Sequence, residues 1–182
     1  MTCVVGLAEG GKAYIGADSA AADGWEVRAT GLRKVFRRLP SRASHPFVIG
    51  YTTSFRMGQI LQHHLMVEPQ KGEPDETYMV CTFVEAVRSC LKDHGFAKVE
   101  NNVEEGGQFL VGYKGVIYEI ASDFQVNHFA DGLAVIGCGA AYALGALKAL
   151  SGLQPERRVA LSLEIAAYFS GGVIGPFHVV SE

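Results

Sequence analysis

Charge is scarce in this sequence. Lys+Arg (16) and Asp+Glu (19) make up 19% of 182 residues, against about a quarter in an average domain. The deficit predicts a surface partly covered by something other than water. A net charge of −3 excludes the basic footprint of a nucleic-acid binder. No apolar run approaches the roughly 18 residues of a membrane helix, so no membrane association is expected. The opening residues, MTCVVGLAEGGK, lack a basic region and a long apolar core, so no secretory signal is expected and the chain is placed in the cytoplasm. The four cysteines (Cys3, Cys81, Cys90, Cys138) form no CxxC pair and no zinc spacing. They are expected to be unpaired, at least three of them as small buried hydrophobes. Among six histidines, His63 and His64 are adjacent and would point about 100° apart on a helix, so no metal cluster and no cofactor is expected. Repeats, low-complexity tracts and linkers are lacking too, and residues 1–182 read as one domain, large enough to bury about 70% of its surface.

What is present is a succession of short apolar runs. Residues 2–8 and 13–17 flank Glu9-Gly10-Gly11-Lys12 and predict a hairpin, with the glycines supplying positive φ. A polar, glycine-bearing stretch runs to about residue 31, followed by strands at 34–38 and 47–52. Met57, Ile60, Leu61 and Leu65 make a helical stripe behind a Ser54 cap. After a break from Glu68 to Pro74, Asp75 is expected to cap a helix with Val80, Val84, Val87 and Leu91 on one face, ending at Gly95. Strands are predicted at 108–112, 116–121 and 133–136, helices at 140–151 and 156–169, and a last strand at 177–180. Grouped strands and grouped helices argue for an α+β sandwich with a helix pair on each side of two stacked sheets.

Thr2 follows Met1 directly. Loss of Met1 would place a hydroxyl nucleophile and a free α-amine on one residue. Such an amine titrates near 7.7–8.0 and can take the hydroxyl proton, directly or through a water. Asp18 closes the second predicted strand and Lys34 opens the third. An ammonium lowers a neighbouring hydroxyl's pKa, and a carboxylate holds the ammonium in place. Antiparallel pairing brings Thr2 and Asp18 to one end of a sheet. Taken singly, Asp18 reads equally as a turn cap and Lys34 as a solvated strand end. GCGAA before a helix superficially suggests phosphate binding, but it lacks the P-loop lysine and the third glycine of a dinucleotide fingerprint, so close helix–sheet packing explains it better.

The segments TCVVGL, IGADSA, RKVF, VIGYTTSF, FLVGYKG, VIGCGAAYALGAL and YFSGG resemble, in order and spacing, the proteasome β-subunit family and its bacterial HslV-type branch. The resemblance spans essentially the whole chain. It implies Thr2 as nucleophile, Asp18 as buried acid, Lys34 as activating lysine, Gly50 as donor of the oxyanion-hole N–H, and Ser170 as a fourth catalytic member. Two positions depart from the pattern: Cys138 stands in the usual GSG turn, and Ala167 stands where an aspartate is common. Cysteine is nearly isosteric with serine but a poorer hydrogen-bond partner.

The resemblance further implies a four-layer α/β/β/α sandwich of the N-terminal nucleophile hydrolase type. Homo-oligomeric stacked rings would enclose the active sites and act on peptides or unfolded proteins. No ATPase motif is present, so unfolding would fall to a separate ATP-dependent partner. Phe55, Phe83 and Tyr142 are candidates either for ring contacts or for the core. Two other readings stay open: a non-catalytic ring subunit, and an amidohydrolase using the same nucleophile on a small amide. Only Met1 precedes the threonine here, whereas related subunits with a propeptide must cleave it.

Overall fold

In the computed structural model, residues 1–39, 45–100 and 103–182 are described. They form a mixed α/β structure of four helices and several sheets. β1 (Cys3–Glu9) and β2 (Lys12–Ala17) are the predicted hairpin, with Gly10 and Gly11 at φ 61° and 74°. A ribbon follows from β3 (Ala20–Asp23) and β4 (Glu26–Ala29), inside the stretch the sequence leaves polar. Its four alanines and charged residues give no apolar alternation by which to find it. Next come β5 (Val35–Arg38) and β6 (Phe47–Tyr51).

Helix α1 spans Phe55–His64, and the Ser54 hydroxyl accepts from the Arg56 and Met57 N–H groups as expected of a cap. Helix α2 is composite, with Asp75–Thr77 and Val84–Asp93 in α geometry and Tyr78–Phe83 in π geometry between them. This corrects two expectations. Pro74, not Asp75, precedes the first turn, and the Asp75 carboxylate accepts from Lys114 and Gln70 instead. The π segment also shifts the helical register, so Tyr78, Met79 and Phe83 face inward while Val80 is 46% exposed.

The remaining strands are β7 (Lys98–Glu100), β8 (Val103–Glu105), β9 (Phe109–Tyr113), β10 (Val116–Ile120), β11 (Val126–His128), β12 (Leu133–Gly137) and β13 (His178–Ser181). The last two helices are α3 (Ala140–Ala149) and α4 (Pro155–Phe169). β7, β8 and β11 are three residues each, too short for a period to register in sequence.

Two antiparallel sheets organise these pieces, one ordered β12-β1-β2-β13 and the other β11-β10-β9-β6-β5. Because side chains alternate along a strand, β1 sends Cys3, Val5 and Leu7 to a cluster with Leu147 of α3 and Val159 and Leu163 of α4. It sends Val4 the other way, among Ile15, Val35, Val48 and Leu110, residues drawn from both sheets. On the outer face of the five-stranded sheet, Phe47, Ile49 and Phe109 pack against Met57 and Leu61 of α1 and Phe83 and Leu91 of α2. Each such fully buried side chain stabilises the fold by about 1.5–3 kcal/mol.

Of the four cysteines, Cys3 and Cys90 are buried, but Cys81 and Cys138 are exposed. The expectation of at least three buried thiols is thus corrected: Cys81 falls in the π segment of α2, and Cys138 in the turn before α3. Phe83 is core, whereas Tyr142 is 47% exposed and stacks on Phe169 at 5.3 Å. No helix among the described residues is long and apolar enough to cross a membrane.

Candidate active site

The β1–β2 register pairs Val4 with Ala17, which sets Thr2 and Asp18 at the same sheet end. Backbone and side chain then interlock: the Asp18 N–H donates to Cys3 O at 3.2 Å, and the Cys3 N–H donates to Asp18 Oδ1 at 3.0 Å. Asp18 Oδ2 accepts the Ala20 N–H at 2.8 Å, so the carboxylate is held at both oxygens. Lys34 arrives from the other sheet, one residue before β5. Its Nζ donates to Asp18 Oδ1 at 2.9 Å, to Thr2 Oγ at 2.9 Å and to Met1 O at 3.4 Å. Three ammonium protons thus meet three acceptors.

Asp18 and Lys34 are 0% and 2% exposed, and Thr2 is 6% exposed. Burial pushes the Lys34 ammonium below its usual value, and the Asp18 charge and hydrogen bond oppose that shift. The Phe55 ring lies 5.7 Å from Lys34 Nζ and shields the pair from one side.

The Thr2 hydroxyl donates to Met1 O at 2.5 Å. While Met1 is attached, the Thr2 nitrogen is an amide; removal of Met1 turns it into an amine beside the same hydroxyl. The Thr2 carbonyl is fixed by the Cys138 N–H at 2.8 Å, with Cys138 Sγ at 3.4 Å. Gly137, at φ 95°, allows this approach, because a Cβ there would overlap the Thr2 carbonyl. The close helix–sheet packing expected of GCGAA is found at Gly139, before α3, where a Cβ would meet Cys3 of β1 at 3.0 Å. Ser170 Oγ lies 3.6 Å from Cys138 Sγ, so it reaches Thr2 only through the thiol. Ala167 packs against the apolar cluster of α3 and α4.

Thr2, Asp18 and Lys34 are brought together, and Ser170 stands one side chain away. Gly50 is not brought to them. The Tyr51 N–H goes to Lys34 O on the β5 side and the Thr52 N–H to Gln108 O on the β9 side. By the alternation of a strand, the Gly50 N–H faces β9, where its register partner is Leu110. A Cβ at Gly50 would meet Val4 Cγ1 and Ile15 Cγ2 at 2.6 Å, so this glycine lets the two sheets close on each other. This corrects the expectation of an oxyanion donor at Gly50.

The backbone that does border Thr2 runs from Tyr51 to Phe55 and lines a cavity of about 100 Å3. In it Thr53 has φ 72°, and the Ser54 N–H donates to Thr52 O at 2.8 Å, a γ-turn that leaves Thr53 exposed. Among the described residues the Thr53 N–H has no acceptor. Nothing in the sequence points to Thr53, because a threonine gives no hint of positive φ. Nor does the sequence single out Ser19, whose hydroxyl donates to Pro176 O at 2.5 Å and whose N–H donates to Ile174 O at 2.9 Å, tying the turn after Asp18 to the C-terminal segment.

No protein-family model matches the sequence, and no curated protein matches it. Solved structures do match its backbone. BPH of Thiobacillus denitrificans superposes with a TM-score of 0.80 at 20% identity, covering 100% of this chain and 97% of that one. Eukaryotic HslV from Trypanosoma brucei gives 0.68 at 18% identity, with 99% and 98% covered. Anbu (ancestral beta-subunit) from Yersinia bercovieri gives 0.70 at 13% identity, with 99% and 81% covered. The fold is that of the proteasome-type subunits. In that fold the start of β1 carries Thr2, and the two sheets supply Asp18 and Lys34 from opposite sides.

Proposed function

We propose that this chain is a self-compartmentalising threonine peptidase, hydrolysing peptide bonds through Thr2 once Met1 is removed. One observation carries the reading. A buried ammonium, Lys34, is held 2.9 Å from both the Thr2 hydroxyl and the Asp18 carboxylate, beside an open cavity. A solvated strand end and a turn cap would need no such arrangement, and burying the pair costs several kcal/mol per ion before their attraction is counted. The structure of BPH in complex with epoxomicin, 21% identical with a TM-score of 0.78, adds support from a neighbour.

The chemistry follows from the geometry. Thr2 Oγ attacks the carbonyl carbon of the substrate while the Thr2 amine takes the hydroxyl proton, and Lys34 favours the developing alkoxide. Negative charge on the tetrahedral oxygen requires a donor at the cavity wall, and the free Thr53 N–H supplies it in place of Gly50. The amine then protonates the leaving nitrogen, and water releases the acyl group from Thr2. Cys138 holds the Thr2 carbonyl, with Ser170 behind it.

The three apolar clusters support a four-layer α/β/β/α arrangement in a single domain over residues 1–182. The site assigned to proteolysis, the low charged fraction and the proteasome-type fold support homo-oligomeric rings that keep Thr2 from folded proteins, working in the cytoplasm on unfolded chains delivered by a separate ATP-dependent unfoldase. Ala167, which offers the Thr2 nitrogen no polar group, favours a second reading as a non-catalytic ring subunit.

A peptide epoxyketone separates the two, because it captures hydroxyl and amine together. The peptidase reading expects an intact mass lacking one methionine and a stoichiometric adduct on Thr2. A protein with free Thr2 that stays unlabelled and cleaves no peptide reporter is the non-catalytic subunit.

A further inference from the structure

Ser19 is 0% exposed, and all three of its polar groups bond to partners outside its own turn. Its hydroxyl donates to Pro176 O at 2.5 Å, its N–H donates to Ile174 O at 2.9 Å, and its carbonyl accepts from the Thr30 N–H at 2.8 Å. Its neighbours in sequence are bonded to each other across it: the Ala20 N–H donates to Asp18 Oδ2 at 2.8 Å. Ser19 is thus the middle residue of an aspartate turn, in which the side chain closes onto the backbone two residues further on. The placing of that middle residue decides whether the Ala20 N–H reaches the carboxylate. The segment that holds Ser19 also runs past the chain start. Near its beginning the Ser170 carbonyl accepts from the Val173 N–H at 3.0 Å, and a Cβ at Gly172 would meet Met1 and Cys138 Sγ. One stretch, 170–176, therefore touches the start of the chain at one end and the turn of the acid at the other.

We infer that Ser19 is a positioning residue: by fastening the Asp18 turn to segment 170–176, it fixes the carboxylate that holds Lys34 against Thr2. This rests on the peptidase reading above. The chain of contacts is short and continuous. Ser19 is anchored to Pro176, the turn carries the Ala20 N–H to Asp18 Oδ2, and Asp18 Oδ1 accepts from Lys34 Nζ at 2.9 Å. The same ammonium donates to Thr2 Oγ at 2.9 Å. Ser19→Ala removes the side-chain anchor, leaves Pro176 O without that donor, and lets the turn relax. A relaxed turn draws the Asp18 charge away from Lys34, and that charge opposes the effect of burial on the ammonium. Lys34 then loses its proton at lower pH. A serine that only filled space would have no such effect.

Ser162 is the matched comparison, because it is also 0% exposed and its hydroxyl donates to Arg158 O at 2.8 Å within α4. Ser19→Ala and Ser162→Ala are compared in two readouts: the titration of Lys34, followed by carbon NMR at its Cε, and the pH profile of kcat/KM on a peptide reporter. Ser19→Ala is expected to lower the Lys34 midpoint by at least about half a pH unit and to move the alkaline limb of the profile down with it. It is also expected to lower kcat at least about fivefold with KM within about twofold. Ser162→Ala is expected to melt lower and to keep the wild-type midpoint and profile. Ser19→Cys keeps nearly the same volume with a weaker donor; it should shift the midpoint the same way by less, and it stands in if the alanine variant fails to fold. A Lys34 midpoint unmoved in a folded Ser19 variant, or moved equally in Ser162→Ala, overturns the positioning role and leaves the peptidase reading intact. No turnover of any peptide by the wild-type protein, together with no epoxyketone adduct on Thr2, overturns the peptidase reading, and the Lys34 midpoint still decides whether Ser19 positions the acid.

Discussion

Lys34 Nζ stands 2.9 Å from Thr2 Oγ across 32 positions of sequence, and the two residues come from different sheets. The distance is set by how the sheets pack face to face, through Val4, Ile15, Val35 and Val48. The placing of the Thr2 hydroxyl against Lys34 is thus a property of the core. A buried ion pair is weak evidence for stability, since apolar residues of similar volume often do as well or better. Its position against a hydroxyl is what makes it useful.

Thr2→Ala removes the proposed nucleophile and is expected to lower kcat/KM on a peptide reporter by at least about a thousandfold. Thr2→Ser keeps a hydroxyl and should retain measurable turnover. Thr2→Ser should keep a melting temperature near wild type, whereas Thr2→Ala should fold, because the Thr2 backbone makes the bond to Cys138, but melt somewhat lower for want of one acceptor of the buried Lys34 ammonium.

Lys34→Met leaves Asp18 charged and buried without its partner. Denaturant unfolding should show a loss of about 3–5 kcal/mol, together with loss of peptidase activity. Adding Asp18→Asn should recover only part of the stability and none of the activity, because the amide oxygen accepts from the Cys3 N–H while the amide NH2 faces the Ala20 N–H, and nothing activates Thr2.

The pH profile of kcat/KM should have two limbs. Activity rises as the Thr2 amine loses its proton, around the 7.7–8.0 of an ordinary α-amine. It falls where Lys34 deprotonates, which burial places below 10.5. The same shift bears on stability. The folded pKa of Lys34 lies below the unfolded one, so between the two the unfolded chain binds more protons, and this group's contribution grows as pH rises toward 10.5. Below that window its burial penalty is felt in full. An alkaline limb at or above 10.5 would remove Lys34 from the mechanism.

Cys81 and Cys138 are exposed, while Cys3 is buried with its thiol pushed up to about 12 by burial and by Asp18. A chromogenic disulfide at pH 8 should titrate two thiols in the native protein and four after unfolding. Alkylation of Cys138 should abolish turnover, since its Sγ lies 3.4 Å from Thr2 O. Cys138→Ser should be resistant and at least as active, because a hydroxyl donates a stronger hydrogen bond there.

Gly50→Ala pushes a methyl group against Val4 and Ile15 between the sheets. The expected outcome is a stability loss of about 1–3 kcal/mol from overpacking, with kcat/KM per folded molecule within a few-fold of wild type. A hundredfold loss of kcat/KM at unchanged stability would return the oxyanion role to Gly50.

Much of this architecture is legible before folding. The hairpin of β1 and β2, the Ser54 cap of α1 and the extents of α3 and α4 are local matters, written in glycines, a capping hydroxyl and a helical period. The β3–β4 ribbon and the three-residue strands leave no comparable trace, being short or apolar on neither side. The π segment of α2 is also hidden, since the period it breaks is restored a turn later, and Val80 is misread as inward for that reason.

At the site, the residue types and their order are legible without the fold: a threonine after Met1, an aspartate just after β2, a lysine just before β5. Tertiary structure alone decided which of them meet. Lys34 is delivered to Thr2 and Asp18 by sheet-on-sheet packing, which no local spacing encodes. The same packing takes Gly50 out of the site, because strand alternation turns its N–H to β9 and its missing Cβ toward the opposite sheet. It brings in Thr53 through a positive φ that threonine rarely adopts, and that conformation leaves its N–H free beside the nucleophile.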